Sequence, residues 1–98
     1  MERDRIIMLL CAQNYPEYML EQTADKVDRL PNELSEALEE WAESGKEPNM
    51  EIQGYSYARL VKEYDMRPIG AFLTLDWLRR EPEKAVAALK RGIRKIKR

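Results

Sequence analysis

The stretch that decides the fold is PIGAFLTLDWLRR, residues 68–80. Pro68 stands where a helix begins, because proline is well tolerated at the first helical position. The residues after it place apolar side chains on nearly every side of a helix, and before the two final arginines there is no continuous polar face. A helix that is apolar all round is typical of the centre of a domain. We therefore predict a central helix here, with Phe72 and Trp77 mostly buried and the last helix packed near it.

Helical spacing of apolar residues recurs on both sides of this stretch. Leu34, Ala37, Leu38 and Trp41 follow the i, i+3, i+4, i+7 pattern of a helix that buries one face. Prolines and possible capping residues mark the helix starts, and Gly45 is placed to end a helix in a left-handed turn. The predicted helices are 5–13, 16–29, one from 31 or 32 to Gly45, 56–64 with Ser56 as N-cap, 67–80, and one from Pro82 towards the C-terminus. The fold class is therefore all-α, a single compact bundle of five to six short helices that forms one domain over 1–98.

The first of these segments is ambiguous. Its IIMLLCA run, residues 6–12, would suit a buried strand as well as a buried helix. Residues 51–53 offer only a poor strand partner, so we favour the helix. Cys11 lies within the run, which predicts an inert core thiol, since reactive thiolates need a cationic and partly exposed setting.

Charge is divided unevenly along the chain. Residues 1–49 hold five bases and twelve acids, a net charge of −7, whereas residues 50–98 hold twelve bases and six acids, a net charge of +6. The loop SGKEPN, residues 44–49, is the candidate link between the two halves. Such polarity predicts a directional partner or association between unlike ends. The candidate acidic face lies on the third helix and consists of Glu33, Glu36, Glu39, Glu40 and Glu43.

The second helix carries further acids at spacings of three and four. Glu17, Glu21, Asp25 and Asp28 form a ridge of like charges that is mildly unfavourable by itself. Asp25 and Arg29 offer one favourable pair. The acids of the second and third helices could mimic nucleic acid, although a solvated face is the simpler interpretation.

The last helix ends in a basic tail, AALKRGIRKIKR, residues 87–98. Its apolar stripe would need a partner, and nearly all its remaining surface is cationic. The candidate contact residues are Lys90, Arg91, Arg94, Lys95, Lys97 and Arg98. Four interpretations remain open: solvated cations that favour the helix C-terminus, nucleic-acid contact, docking on an acidic protein surface, and an anionic membrane surface. Tyr55 would be the aromatic residue left free to stack on bases.

Residues 58–78 also carry a weak helix-turn-helix pattern, two helices around a short turn. Asp65 stands where the turn usually has glycine, and Thr74 replaces a core residue. The would-be recognition helix offers only Arg67 and Thr74 to base edges. If nucleic acid is bound, the basic tail is the better candidate.

The composition argues against several chemistries. The chain has no histidine and one cysteine, so it lacks the commonest general base and the commonest metal ligand. No phosphate-binding, dinucleotide-binding or nucleophile motif occurs. We therefore expect no enzyme, no metal and no cofactor. The longest apolar run has seven residues, far fewer than a bilayer span needs, which predicts no membrane partner and a cytoplasmic protein.

Two functional hypotheses follow from the sequence. The first is a small non-catalytic interaction module that binds another protein or itself through complementary acidic and basic surfaces. The alternative is a nucleic-acid-binding protein that uses the basic tail.

Overall fold

The computed structural model describes residues 1–96, and the side chains of residues 1–92. Over this range the chain is an all-α bundle of six helices with one small antiparallel hairpin, which confirms the predicted fold class. The helices are α1 (Arg3–Ala12), α2 (Leu20–Asp28), α3 (Asn32–Ser44), α4 (Tyr57–Glu63), α5 (Pro68–Arg80) and α6 (Pro82–Ile96). A 3₁₀ turn, Glu17–Met19, precedes α2, and strands β1 (Glu51–Ile52) and β2 (Tyr55–Ser56) lie between α3 and α4.

The helix α5 is the centre of the bundle, as its sequence predicts. Of its thirteen residues only Arg79 and Arg80 are exposed. Phe72 is fully buried, with its ring centroid 6.3 Å from that of Trp41 and 5.2 Å from that of Tyr57. The helices α3, α4 and α6 and the strand β1 all pack against α5. Its apolar circumference is therefore covered by several elements at once.

Two polar groups on α5 are satisfied locally. Asp76 is buried, and its carboxylate accepts hydrogen bonds from Arg79 and Arg80 at 2.9 Å each. The one acid among the apolar residues of α5 is therefore paired within its own helix. Trp77 is partly buried against the core, and its indole Nε1–H donates a hydrogen bond to Glu81 at 3.2 Å.

The helix ends lie close to where the sequence predicts them. Gly45 follows α3 with a φ of 75°, a left-handed conformation that favours glycine. The Ser56 side chain caps α4 by accepting a hydrogen bond from the Arg59 backbone N–H at 3.1 Å. The loop after Gly45 runs to β1, and Met50 at its end packs against the core.

The segment α1 is a helix, and the prediction of a buried Cys11 is wrong. Ile6 and Leu10, four residues apart, are the buried pair, whereas Cys11 is exposed and Met8 is 71% exposed. A continuous apolar run has no polar face to show which side turns inward. Since only one side of α1 packs against the bundle, part of the run remains on the surface.

The hairpin was missed in the sequence, and with it the position of Tyr55. Ile52 pairs with Tyr55 across a two-residue turn in which Gln53 and Gly54 have φ values of 54° and 82°. The hairpin turns Tyr55 inward, where its ring packs edge-on against that of Tyr64, with 5.9 Å between the ring centroids. Tyr55 is only 5% exposed. The prediction that it is free to stack on bases is therefore wrong.

Replacement of Phe72 by alanine should test the central position of α5. The Phe72→Ala change removes a fully buried ring that contacts two other aromatic residues, and should lower the free energy of unfolding by about 3 to 5 kcal/mol. Urea denaturation monitored by circular dichroism measures the loss. The exposed Lys62→Gln change is the control and should have almost no effect. A harmless Phe72→Ala change would mean that α5 is not the core.

Candidate interaction surfaces

The acidic face of α3 points largely into solvent. Four of its members are exposed, and Glu39 is partly buried. The acids face outward because Leu34 and Leu38, four residues apart, occupy the buried side of the helix. The structure thus brings the predicted acids together on one helix, in an accessible position.

Cations of the same chain neutralise part of this face. The N-terminal ammonium of Met1 lies 3.1 Å from a carboxylate oxygen of Glu39. Arg5 of α1 approaches Glu43 at 3.6 Å, and Lys46 of the following loop approaches Glu40 at 3.2 Å. Exposed pairs of this kind contribute little stability. Their effect is to shift the unpaired negative charge towards the start of α3.

Glu33 and Glu36 are the acids of α3 that have no cation within 4 Å among the described side chains. They line an open groove of about 440 Å³ between α3 and the loop that follows it. Glu47 of that loop adds a further carboxylate to the groove, and Lys46 adds one cation. The groove is therefore a concave surface with a clear excess of carboxylates over cations.

Three acids of the ridge on α2 share one cation, Arg3, which the sequence did not point to. The Arg3 guanidinium donates hydrogen bonds to Glu21 at 2.6 Å and to Asp25 and Asp28 at 2.9 Å each. The hydrogen bonds to Glu21 and then Asp25 raise the pKa of Arg3 above its ordinary value. Asp25 therefore pairs with Arg3 and not, as its spacing suggested, with Arg29. Arg29 forms no ion pair among the described side chains. The ridge holds α1 on α2 and is a poor candidate for an external acidic surface.

The basic tail belongs to α6. Ala85 and Leu89 are buried and Val86 is half-buried, which confirms the apolar stripe on the described part of the helix. Lys90 and Arg91 are exposed, with no carboxylate within 4 Å among the described residues. The side chains of Arg94, Lys95, Lys97 and Arg98 lie outside the described residues.

The helix-turn-helix pattern corresponds to α4 and α5. The turn contains Asp65 with a φ of 53°, a left-handed conformation in which glycine is usual. A recognition helix must present side chains to the major groove, but α5 is covered by its neighbours. Thr74 donates its hydroxyl to the Gly70 carbonyl at 2.8 Å. Apart from Arg79 and Arg80, the residues of α5 are buried or partly buried, so the helix does not project from the bundle as a recognition helix does.

Other classes of site find no support in the part of the chain described. No group of three or more Asp, Glu, His or Cys residues is close enough to hold a metal ion there. None of the helices in this range has the length and apolar character required to cross a bilayer. Comparison with protein-family models, curated proteins and solved structures gave no significant match.

The arginine clamp on α2 should be visible in thermal stability. The Arg3→Gln change leaves three neighbouring carboxylates without their shared cation, so it should lower the melting temperature at low salt. The loss should shrink in about 1 M salt, where charges are strongly screened. The Arg5→Gln change on the same helix removes one longer ion pair and is the matched control. Equal losses for the two variants at low salt would contradict the clamp.

Proposed function

We propose that the protein is a non-catalytic helical interaction module that binds complementary protein surfaces, those of a second copy included. The observation that carries the proposal is a pair of unsatisfied surfaces of opposite charge. Lys90 and Arg91 on α6 have no carboxylate within 4 Å, and Glu33 and Glu36 on α3 have no cation within 4 Å, among the described side chains. Each pair can find an opposite charge at short range on another molecule.

The position of the two surfaces supports association between copies. The helices α3 and α6 both pack against α5, so each presents its outer face to solvent. The acidic groove beside Glu33 and Glu36 is concave and open to solvent. Contact between unlike surfaces gives a closed dimer if the two-fold geometry permits it, and a head-to-tail assembly otherwise.

The expected association is weak and depends on salt. A single exposed ion pair contributes only about 0 to 1 kcal/mol, so several must act together with some buried apolar area. Charge complementarity of this kind accelerates encounter and selects partners more than it tightens binding. A transient interaction suits these surfaces better than an obligate dimer.

The non-catalytic part of the proposal rests on the lack of a candidate general base. The chain has no histidine. Its buried carboxylate, Asp76, is held by two arginines and serves as a structural acceptor. A cytoplasmic location remains part of the same proposal, in keeping with a single cysteine.

Charge reversal provides the test of self-association. Sedimentation velocity of the parent protein should show association at about 20 mM salt that is lost at about 500 mM salt. The variants K90E/R91E and E33K/E36K should each be monomeric at low salt, because each places like charges in contact. An equimolar mixture of the two should associate again. The K26Q/K62Q variant, which changes two exposed lysines outside both surfaces, is the control. A parent protein that is monomeric at both salt concentrations would contradict the proposal.

The alternative function is nucleic-acid contact through α6, favoured by the exposure of Lys90 and Arg91. Binding would weaken steeply with salt, in proportion to the phosphates contacted. The variant R91Q/R94Q/K95Q/K97Q should abolish retention of duplex or single strands in low-salt gel-shift assays, while E33K/E36K should not weaken it. No retention of either by the parent protein would exclude this alternative.

A further inference from the structure

A cleft between α2 and α5 lies apart from both charged surfaces. Its volume is about 640 Å³, within the range of small-molecule sites. We call it the α2–α5 cleft. Its lining comes from one residue of α2, the C-cap of α2, five residues of α5 and the C-cap of α5: Lys26, Arg29, Leu73, Thr74, Asp76, Trp77, Arg80 and Glu81.

Leu73 and Trp77 supply the apolar part of the cleft. They are four residues apart on α5 and therefore lie on the same side of the helix. Both are partly buried, and their contacts with core residues hold them in place. The indole ring of Trp77 is also fixed by the hydrogen bond from its Nε1–H to Glu81. A rigid, partly exposed indole beside a leucine is a suitable surface for a flat apolar group.

The two carboxylates of the cleft are already engaged. The side chain of Asp76 is only 9% exposed and accepts from Arg79 and Arg80 at 2.9 Å each. Glu81 lies 3.3 Å from Lys84 and accepts from Trp77, and the hydrogen bond from Lys84 is the main cause of its lowered pKa. Both acids are therefore already paired with cations of the same chain.

The cations of the cleft are less engaged. Lys26 and Arg29 are exposed and have no carboxylate within 4 Å among the described side chains. Arg80 is held in place through its Nε by the buried Asp76, and its side chain is 52% exposed. The planar guanidinium groups of arginine suit carboxylate and phosphate oxygens. The unsatisfied hydrogen-bonding capacity of the cleft is therefore that of donors with positive charge.

We propose that the α2–α5 cleft binds a small organic anion that carries a flat apolar group. The anionic group, a carboxylate or a phosphate monoester, is held by Lys26, Arg29 and Arg80. The apolar group lies on Trp77 and Leu73. This site is independent of the charged surfaces on α3 and α6, so its failure would leave the interaction module untouched.

A structural role predicts different behaviour for the same cations. Lys26 lies in the last turn of α2 and Arg80 in the last turn of α5, where positive charge favours the helix dipole. If that is their whole function, their replacement lowers stability but no anion binds in the cleft. Binding and thermal stability are therefore measured on the same variants.

The experiment is a titration of ¹⁵N-labelled full-length protein followed by its amide and indole NMR signals. The probes are phenyl phosphate and phenylacetate, which separate the two anion types, with benzyl alcohol as the neutral analogue and inorganic phosphate as the bare anion. At millimolar concentrations, as expected for ligands so small, at least one aromatic anion should shift the Trp77 indole signal saturably. The Trp41 indole, which lies outside the cleft, is the internal control and should not shift. Benzyl alcohol and inorganic phosphate should bind at least about tenfold more weakly.

Variants assign the effect to the cleft. The K26Q/R29Q change should weaken binding of the aromatic anion by about tenfold or more, as expected from the loss of charged hydrogen-bond donors. The K46Q/K62Q control removes the same charge elsewhere and should leave the affinity unchanged. The proposal is overturned if neither aromatic anion shifts Trp77 saturably, if benzyl alcohol binds equally well, or if both double variants weaken binding to the same extent.

Discussion

The fold depends first on covering most of the apolar surface of α5. A helix without a polar face leaves apolar area in water unless neighbours surround it, at about 25 cal/mol per Å². The helices α3, α4 and α6 and the strand β1 supply that cover. The first helix is tied to the same element by a polar contact, because the Ile69 backbone N–H at the start of α5 donates to the Gln13 side chain at 3.1 Å. The apolar sides of the amphipathic helices α3, α4 and α6 are therefore oriented towards α5.

Burial of the apolar faces leaves the charges outside, where the chain pairs some of them between helices. Arg3 joins α1 to three acids of α2, and Arg5 joins it to α3. These pairs join side chains within residues 1–49, so they leave the net charge of that half unchanged and reduce only the number of its charges that lack a partner. The charges left unpaired among the described residues include Glu33 and Glu36 on α3 and Lys90 and Arg91 on α6, besides the cations Lys26 and Arg29 of the α2–α5 cleft. Our functional proposal concerns the unpaired charges on α3 and α6 rather than the net charge of each half.

The sequence predicts the features that depend on local chemistry and misses those that depend on contacts between distant residues. Helix starts at prolines, the cap at Ser56 and the end at Gly45 were readable because each acts within one turn. The exposure of Cys11 was not readable, since a wholly apolar run does not show its outer side. Arg3 contacts acids that are 18 to 25 positions away. Such contacts decide which charges on α3 have an ion-pair partner. The sequence could therefore predict the charged faces but not which of their residues lack a partner.

The central claim is that α5 is the core on which the other elements depend, and native-state hydrogen exchange tests it most directly. Amides in the middle of α5, at Phe72 and Leu75, should exchange only when the whole protein unfolds. Their free energy of opening should then equal the free energy of global unfolding measured by urea denaturation. If these amides instead exchange through openings of much lower free energy, α5 is not the element that holds the bundle together.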